Sequence, residues 1–174
     1  MIKTNDGYGT GIIIGENLVL ICNHLLDKDS GVTVNDESAS VLKVDEKNDL
    51  ALLYLRTGYI APIKFAKIAL QDDPIFYVGN PLGHVKLISH GRICDIDEGM
   101  IFTDARIFPG ASGSGAYNDK GELIGIVTGM QGRDGLGMTF GVITPFPQIL
   151  AFLSEEPKPP AFKGQLEMPT LISP

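Results

Sequence analysis

Apolar residues along this chain come in short runs broken by Gly, Asn, Asp and Pro. That pattern predicts short β-strands rather than helices. Residues 9–15 read as one strand. The turn Gly15-Glu16-Asn17 joins it to a second, Leu18-Val19-Leu20-Ile21-Cys22, in a hairpin. Asn23-His24-Leu25-Leu26 follows at once, and 27–31 is a polar loop. Further strands are predicted at 32–34, at 39–44 and, after the charged turn at 45–48, at 50–55. Residues 57–73 are less regular and form a candidate link between two lobes. A second set of strands is expected at 74–79, 85–93, 100–103 and 115–118. It ends with 123–128 and 137–143, separated by a loop at 129–135. Helical spacing appears only near 145–153, where Phe146, Ile149, Leu150 and Leu153 share one face behind Pro145. The expectation is all-β: two groups of about six strands and one C-terminal helix. The boundaries fall at about 1–65 for the first lobe, about 70–145 for the second and about 145–153 for the helix. The Pro-rich residues 154–174 read as an extended or disordered tail.

Composition narrows the classes. The 174 residues are 44% hydrophobic and 20% charged, which suits one domain or two small lobes sharing a core. The net charge of −7 disfavours a nucleic-acid or anionic-membrane surface, because phosphate binding needs clustered Lys and Arg. Cys22 and Cys94 show neither CxxC nor Cys/His zinc spacing and read as free thiols, so no metal or cofactor is expected. The polar start Met1–Asp6 and the absence of a long apolar run lead us to expect a cytoplasmic or virion-associated protein.

One stretch carries candidate chemistry: Phe108-Pro109-Gly110-Ala111-Ser112-Gly113-Ser114-Gly115-Ala116. Gly/Ser clusters more often mark turns than active sites. A serine among glycines can nevertheless expose its hydroxyl and turn backbone N–H groups toward a developing oxyanion. Such a nucleophile needs a base and an orienting carboxylate. All three histidines, His24, His84 and His90, precede the stretch, which excludes chain orders with histidine last. His24 lies just past a strand. His84 lies in a turn and His90 within a strand, where neither needs a special explanation. Asp49, at the threshold of an apolar strand, either closes the turn before it or orients His24.

In family order, five blocks resemble the chymotrypsin-fold serine peptidases, nearest to the HtrA (Deg) type. They are Gly9-Thr10-Gly11-Ile12 through Asn23-His24-Leu25, Asp49-Leu50-Ala51-Leu52, Gly79-Asn80-Pro81-Leu82-Gly83, Asp104 through Gly125, and Gly141-Val142-Ile143-Thr144-Pro145. The resemblance implies two six-stranded antiparallel β-barrels and a serine endopeptidase acting on polypeptides through an acyl-enzyme. It implies His24 as base, Asp49 as its acid and Ser112 as nucleophile, with the N–H groups of Gly110 and Ser112 as oxyanion hole. Thr128, Gly129 and Met130 would line the substrate cleft, with Thr128 also supporting the acid. Arg106 would floor the S1 pocket and favour an acidic P1 side chain. Ala111 stands where digestive relatives have an activating aspartate, and Ser114-Gly115 replaces the common Gly-Pro. No PDZ module is expected after the domain. A self-processing maturation peptidase and a non-catalytic peptide-binding module remain alternatives, and the oligomeric state stays open.

Overall fold

The computed structural model describes residues 1–5, 7–26, 31–56, 63–132 and 139–155. The predicted loop at 27–30, the start of the link at 57–62, residues 133–138 and the tail from 156 lie outside the described residues.

The first lobe contains β1 (Ile2–Lys3), β2 (Tyr8–Gly9), β3 (Ile12–Gly15), β4 (Leu18–Cys22), β5 (Val32–Val34), β6 (Glu37–Asp45) and β7 (Leu50–Tyr54). They form one curled sheet in the order β2-β1-β5-β6-β7-β4-β3. The single strand expected at 9–15 is split. β2 pairs with β1 at one edge of the sheet, and β3 pairs with β4 at the other. The chain therefore crosses between the edges at Thr10-Gly11. Counted as one bent strand, β2 and β3 leave six strands in the lobe. The break has a cause outside the lobe: the Thr10 N–H leaves the ladder and donates to the Ser112 carbonyl at 2.8 Å.

The second lobe contains β8 (Pro74–Gly79), β9 (Leu87–Asp97), β10 (Met100–Thr103), β11 (Gly115–Asn118), β12 (Leu123–Gly132) and β13 (Thr139–Pro145). It closes as an antiparallel barrel in the ring order β10-β13-β12-β11-β8-β9. β12 runs further than expected. A bulge between Val127 and Gly129 lets Gly129–Gly132, anticipated as loop, pair with Val142–Thr139. The helix α1 (Phe146–Ser154) follows β13 directly.

Strand alternation builds three cores from these elements. On β4, Val19 and Ile21 face a cluster inside the first lobe with Ile2, Val34, Ala51 and Leu53. Leu20 and Cys22 face the other way, into a cluster shared by both lobes and the helix with Leu50, Leu123, Ile126, Ile149 and Phe152. β12 also divides, with Ile124 and Val127 inside the barrel and Leu123 and Ile126 in the shared core, because a register shift against β11 between Leu123 and Gly125 breaks its strict alternation. Strands buried on both faces read as continuous apolar runs, which is how Leu18–Cys22 and Leu123–Val127 appear in sequence.

The helix is fastened to the first lobe by Lys43. Its side chain is 10% exposed, lies over the Phe152 ring at 4.7 Å, and donates to the carbonyls of Phe152 and Glu155. A cation there satisfies carbonyls at the end of the helix that have no helical partner. Replacing it by an apolar chain of similar length leaves those acceptors without the charged donor. Lys43→Met should lower the unfolding free energy by about 1.5–3 kcal/mol. Urea denaturation checks this, with the midpoint shifting and the slope unchanged.

Candidate active site

The register of β4 and β7 brings a histidine and an aspartate together. Cys22 is paired with Leu50, so the residues just after Cys22 and just before Leu50 leave the ladder at the same end. Asn23–Leu25 forms a single helical turn there. Asp49 adopts φ 54°, a left-handed conformation that aspartate tolerates better than most residues. Its carbonyl accepts the Asn23 N–H at 3.1 Å, one carboxylate oxygen accepts the His24 N–H at 2.8 Å, and the other meets His24 Nδ1 at 2.6 Å. A carboxylate only accepts, so Nδ1 donates in this bond and Nε2 is the ring nitrogen left to face away from Asp49. The side chains are 45% and 29% exposed, which leaves the pair open to a substrate.

The glycine-serine stretch packs against Leu25, the neighbour of His24. Gly110 and Gly113 adopt φ 89° and 85°. The Ala111 N–H donates to Phe108 and the Ser114 N–H to Ala111, two consecutive turns that wind the segment tightly. Among the described residues neither the Gly110 nor the Ser112 N–H has a hydrogen-bond partner. Ser112 is partly exposed, whereas Ser114 is fully buried, its hydroxyl directed at Gly79 and without a partner among the described residues. Of the two serines, only Ser112 can present its hydroxyl to a ligand as the loop stands.

Residues of the first lobe, chiefly Thr10 and Leu25, hold that loop in place. Thr10 binds the Ser112 carbonyl through its N–H, and its hydroxyl donates to the Gly110 carbonyl at 3.1 Å. The same hydroxyl accepts from the Asn80 N–H and side-chain amide at 2.9 and 3.2 Å. Leu25, next to His24, packs against Gly9 and lies 3.6 Å from the position a Gly113 side chain would take. The Val127 carbonyl accepts both the Gly113 N–H at 2.8 Å and the Cys22 thiol at 3.3 Å. Burial, and after it the Asp49 carboxylate, push the Cys22 thiol well above its usual range, so it stays protonated and is no rival nucleophile.

The remaining predicted residues sit nearby in different circumstances. Thr128 donates to the Val142 carbonyl at 3.2 Å rather than to Asp49. Gly129 and Met130 lie on the part of β12 that runs beyond β11, whose pairing ends at Gly115 with Ile126. Arg106 is exposed, and its carbonyl accepts the Tyr77 hydroxyl at 2.7 Å. An apolar cavity of about 280 Å³ between α1 and residues 66–69 is lined by none of His24, Asp49 or Ser112. Sequence reading missed Thr10, Asn80 and Cys22. Their signal was weak: one buried polar residue in an apolar strand, one asparagine in a turn, one cysteine two places before a histidine.

The fold of two packed β-lobes is that of a trypsin-like peptidase. The family model of the trypsin-like peptidase domain matches residues 9–126, and the chain belongs to that family. Among curated relatives, a probable periplasmic serine protease do/HhoA-like of Haemophilus influenzae is 31% identical over 78% of this chain and 34% of its own length. The periplasmic pH-dependent serine endoprotease DegQ of Escherichia coli is 30% identical over 80% of this chain and 35% of its own. The chain thus spans about a third of the length of these relatives. Among solved structures, the HtrA-type protease AlgW with a decapeptide aligns at TM-score 0.70 and 26% identity, over 82% of this chain and 49% of that one. An inactive serine-to-alanine form of M. tuberculosis Rv3671c aligns at TM-score 0.72 and 20% identity, over 87% and 82%, and shows the shared fold. The relatives are named periplasmic, which overturns the expectation of a cytoplasmic or virion-associated protein. That expectation rested on the polar residues Met1–Asp6, and a polar edge of a folded domain says nothing about its compartment. Among the described residues no helix is long and apolar enough to cross a membrane.

Two substitutions test the loop's fastening. Thr10→Val keeps the shape but removes the hydroxyl, leaving the buried Asn80 donors without their acceptor. It should cost about 1–3 kcal/mol of stability in urea denaturation. In Gly113→Ala the new methyl would fall 1.9 Å from the Thr10 carbonyl oxygen at a left-handed φ, and at least about 2 kcal/mol should be lost.

Proposed function

We propose that this domain is a serine endopeptidase with His24, Asp49 and Ser112 as its catalytic triad. The observation that carries the reading is the doubly bonded His24–Asp49 pair together with a loop, packed against Leu25, in which Ser112 is partly exposed and, among the described residues, the Gly110 and Ser112 N–H groups have no hydrogen-bond partner. In this scheme Ser112 Oγ attacks the scissile carbonyl carbon while His24 Nε2 takes its proton. Asp49 holds the Nδ1–H and stabilises the imidazolium that forms. The carbonyl oxygen becomes an oxyanion that accepts from the Gly110 and Ser112 N–H groups. Collapse breaks the C–N bond, His24 returns the proton to the leaving amine, and an acyl-enzyme remains. Water, deprotonated by His24, attacks that ester and releases the second product.

The substrate is read as an extended peptide. From Thr128 onward the edge of β12 away from β13 has no strand beside it among the described residues. A peptide can add there as an extra strand, with Gly129 and Met130 supplying backbone partners. Exposed Arg106 acts on an acidic P1 side chain only through solvent, and an exposed ion pair contributes about 0–1 kcal/mol.

Fluorophosphonate labelling tests the nucleophile. The parent protein and Ser114→Ala should label, and Ser112→Ala should not. A folded parent that resists the probe favours a non-catalytic peptide-binding module. Asp49→Asn should lower kcat by about 10⁴-fold, because the histidine is then held in the wrong tautomer. In a P1 peptide library, Arg106→Ala should change the preference for Glu over Leu by less than about fivefold. A much larger change would place the guanidinium inside the pocket.

A further inference from the structure

The chain lacks the usual Cys/His spacing of a zinc site, yet folding assembles three metal donors. Cys22 Sγ, a ring nitrogen of His24 and a carboxylate oxygen of Asp49 lie within 4.8 Å of one another, and Nδ1 is the nitrogen that faces Asp49. Among the described residues no other such group of three comes together. The cause is the register already described: Cys22 and His24 end one strand, Asp49 begins its neighbour, and Cys22 pairs with Leu50. A thiol, an imidazole and a carboxylate form a mixed sulfur, nitrogen and oxygen set that suits Zn²⁺. Tetrahedral zinc holds its ligand atoms roughly 3.5 Å apart, so the cluster needs adjustments of only about 1 Å.

We propose that this cluster is an inhibitory Zn²⁺ site within the triad; the inhibition, though not the binding, rests on the peptidase reading. The ion reaches the cluster from the exposed face of His24 and Asp49. It enters between Nδ1 and the Asp49 oxygen, now 2.6 Å apart, and takes the Nδ1 lone pair. The imidazole proton then resides on Nε2, and the ring no longer accepts the Ser112 proton. The Cys22 sulfur coordinates as thiolate, its proton passes to solvent, and its bond to the Val127 carbonyl is given up. One water fills the fourth position. The buried thiol, with no part in the peptidase chemistry, thereby becomes a means of switching it off.

Co²⁺ added to Ser112→Ala protein reads the site without turnover. The expected result is one equivalent bound, with thiolate-to-metal charge-transfer absorption in the near ultraviolet, lost on addition of Zn²⁺. Cys22→Ala in the same background should lack that band. In the active protein, Zn²⁺ should inhibit peptide cleavage. Cys22→Ala should need about tenfold more Zn²⁺ or higher, the scale on which even outer partners of a metal act. A Co²⁺ spectrum with no thiolate band overturns the site, as does equal Zn²⁺ sensitivity of the parent and Cys22→Ala. If Cys22→Ala does not fold, the Co²⁺ spectrum of the Ser112→Ala protein decides alone. Because that spectrum needs no peptidase activity, failure of the site and failure of the peptidase reading are told apart.

Discussion

Two backbones cross at Thr10 and Gly113 with no room for a side chain between them. The structure depends on that crossing. Thr10 gives its N–H to the Ser112 carbonyl and its hydroxyl to the Gly110 carbonyl, and so binds the serine loop of the second lobe to the first. It also explains the broken strand, since a residue that bonds across the lobes cannot serve its own ladder. The curl of the first sheet and the placement of the serine loop are two consequences of one contact.

The lobes are joined by more than that clamp. β4 and β12 each divide their side chains between an internal core and the shared core, so neither lobe completes its packing alone. The Val127 carbonyl lies at the meeting point, accepting from the strand that leads to His24 and from the residue after Ser112. In the proposed scheme base and nucleophile come from different lobes, so apolar packing between the lobes positions them together with the hydrogen bonds. Rigid strands beneath both are what a reaction sensitive to small misplacements requires.

Much of this was legible in the chain. Alternating apolar runs marked most strands, because strands buried on one or both faces leave a periodic or continuous apolar trace. The candidates His24, Asp49 and Ser112 stood out because each stands at the end of an apolar run or in a glycine-rich stretch, where a side chain escapes the core. β1 was not visible, since two residues hold no period. The continuation of β12 through 129–132 was hidden because a bulge shifts the alternation and glycine suggests a turn. Thr10 and Asn80 went unseen because their roles lie in partners distant in sequence. The cluster of the proposed zinc site was hidden for the same reason: Asp49 joins Cys22 and His24 only through strand register.

In the proposed mechanism Ser112, held by Thr10 and activated by the His24–Asp49 pair, becomes acylated. Mass spectrometry of protein quenched in acid during turnover of an activated peptide ester reads that step. The expected result is an acyl adduct in the 109–116 segment, on Ser112, appearing as a burst that matches the enzyme concentration. An adduct on Ser114, or ester hydrolysis with no covalent intermediate and no burst, would contradict it.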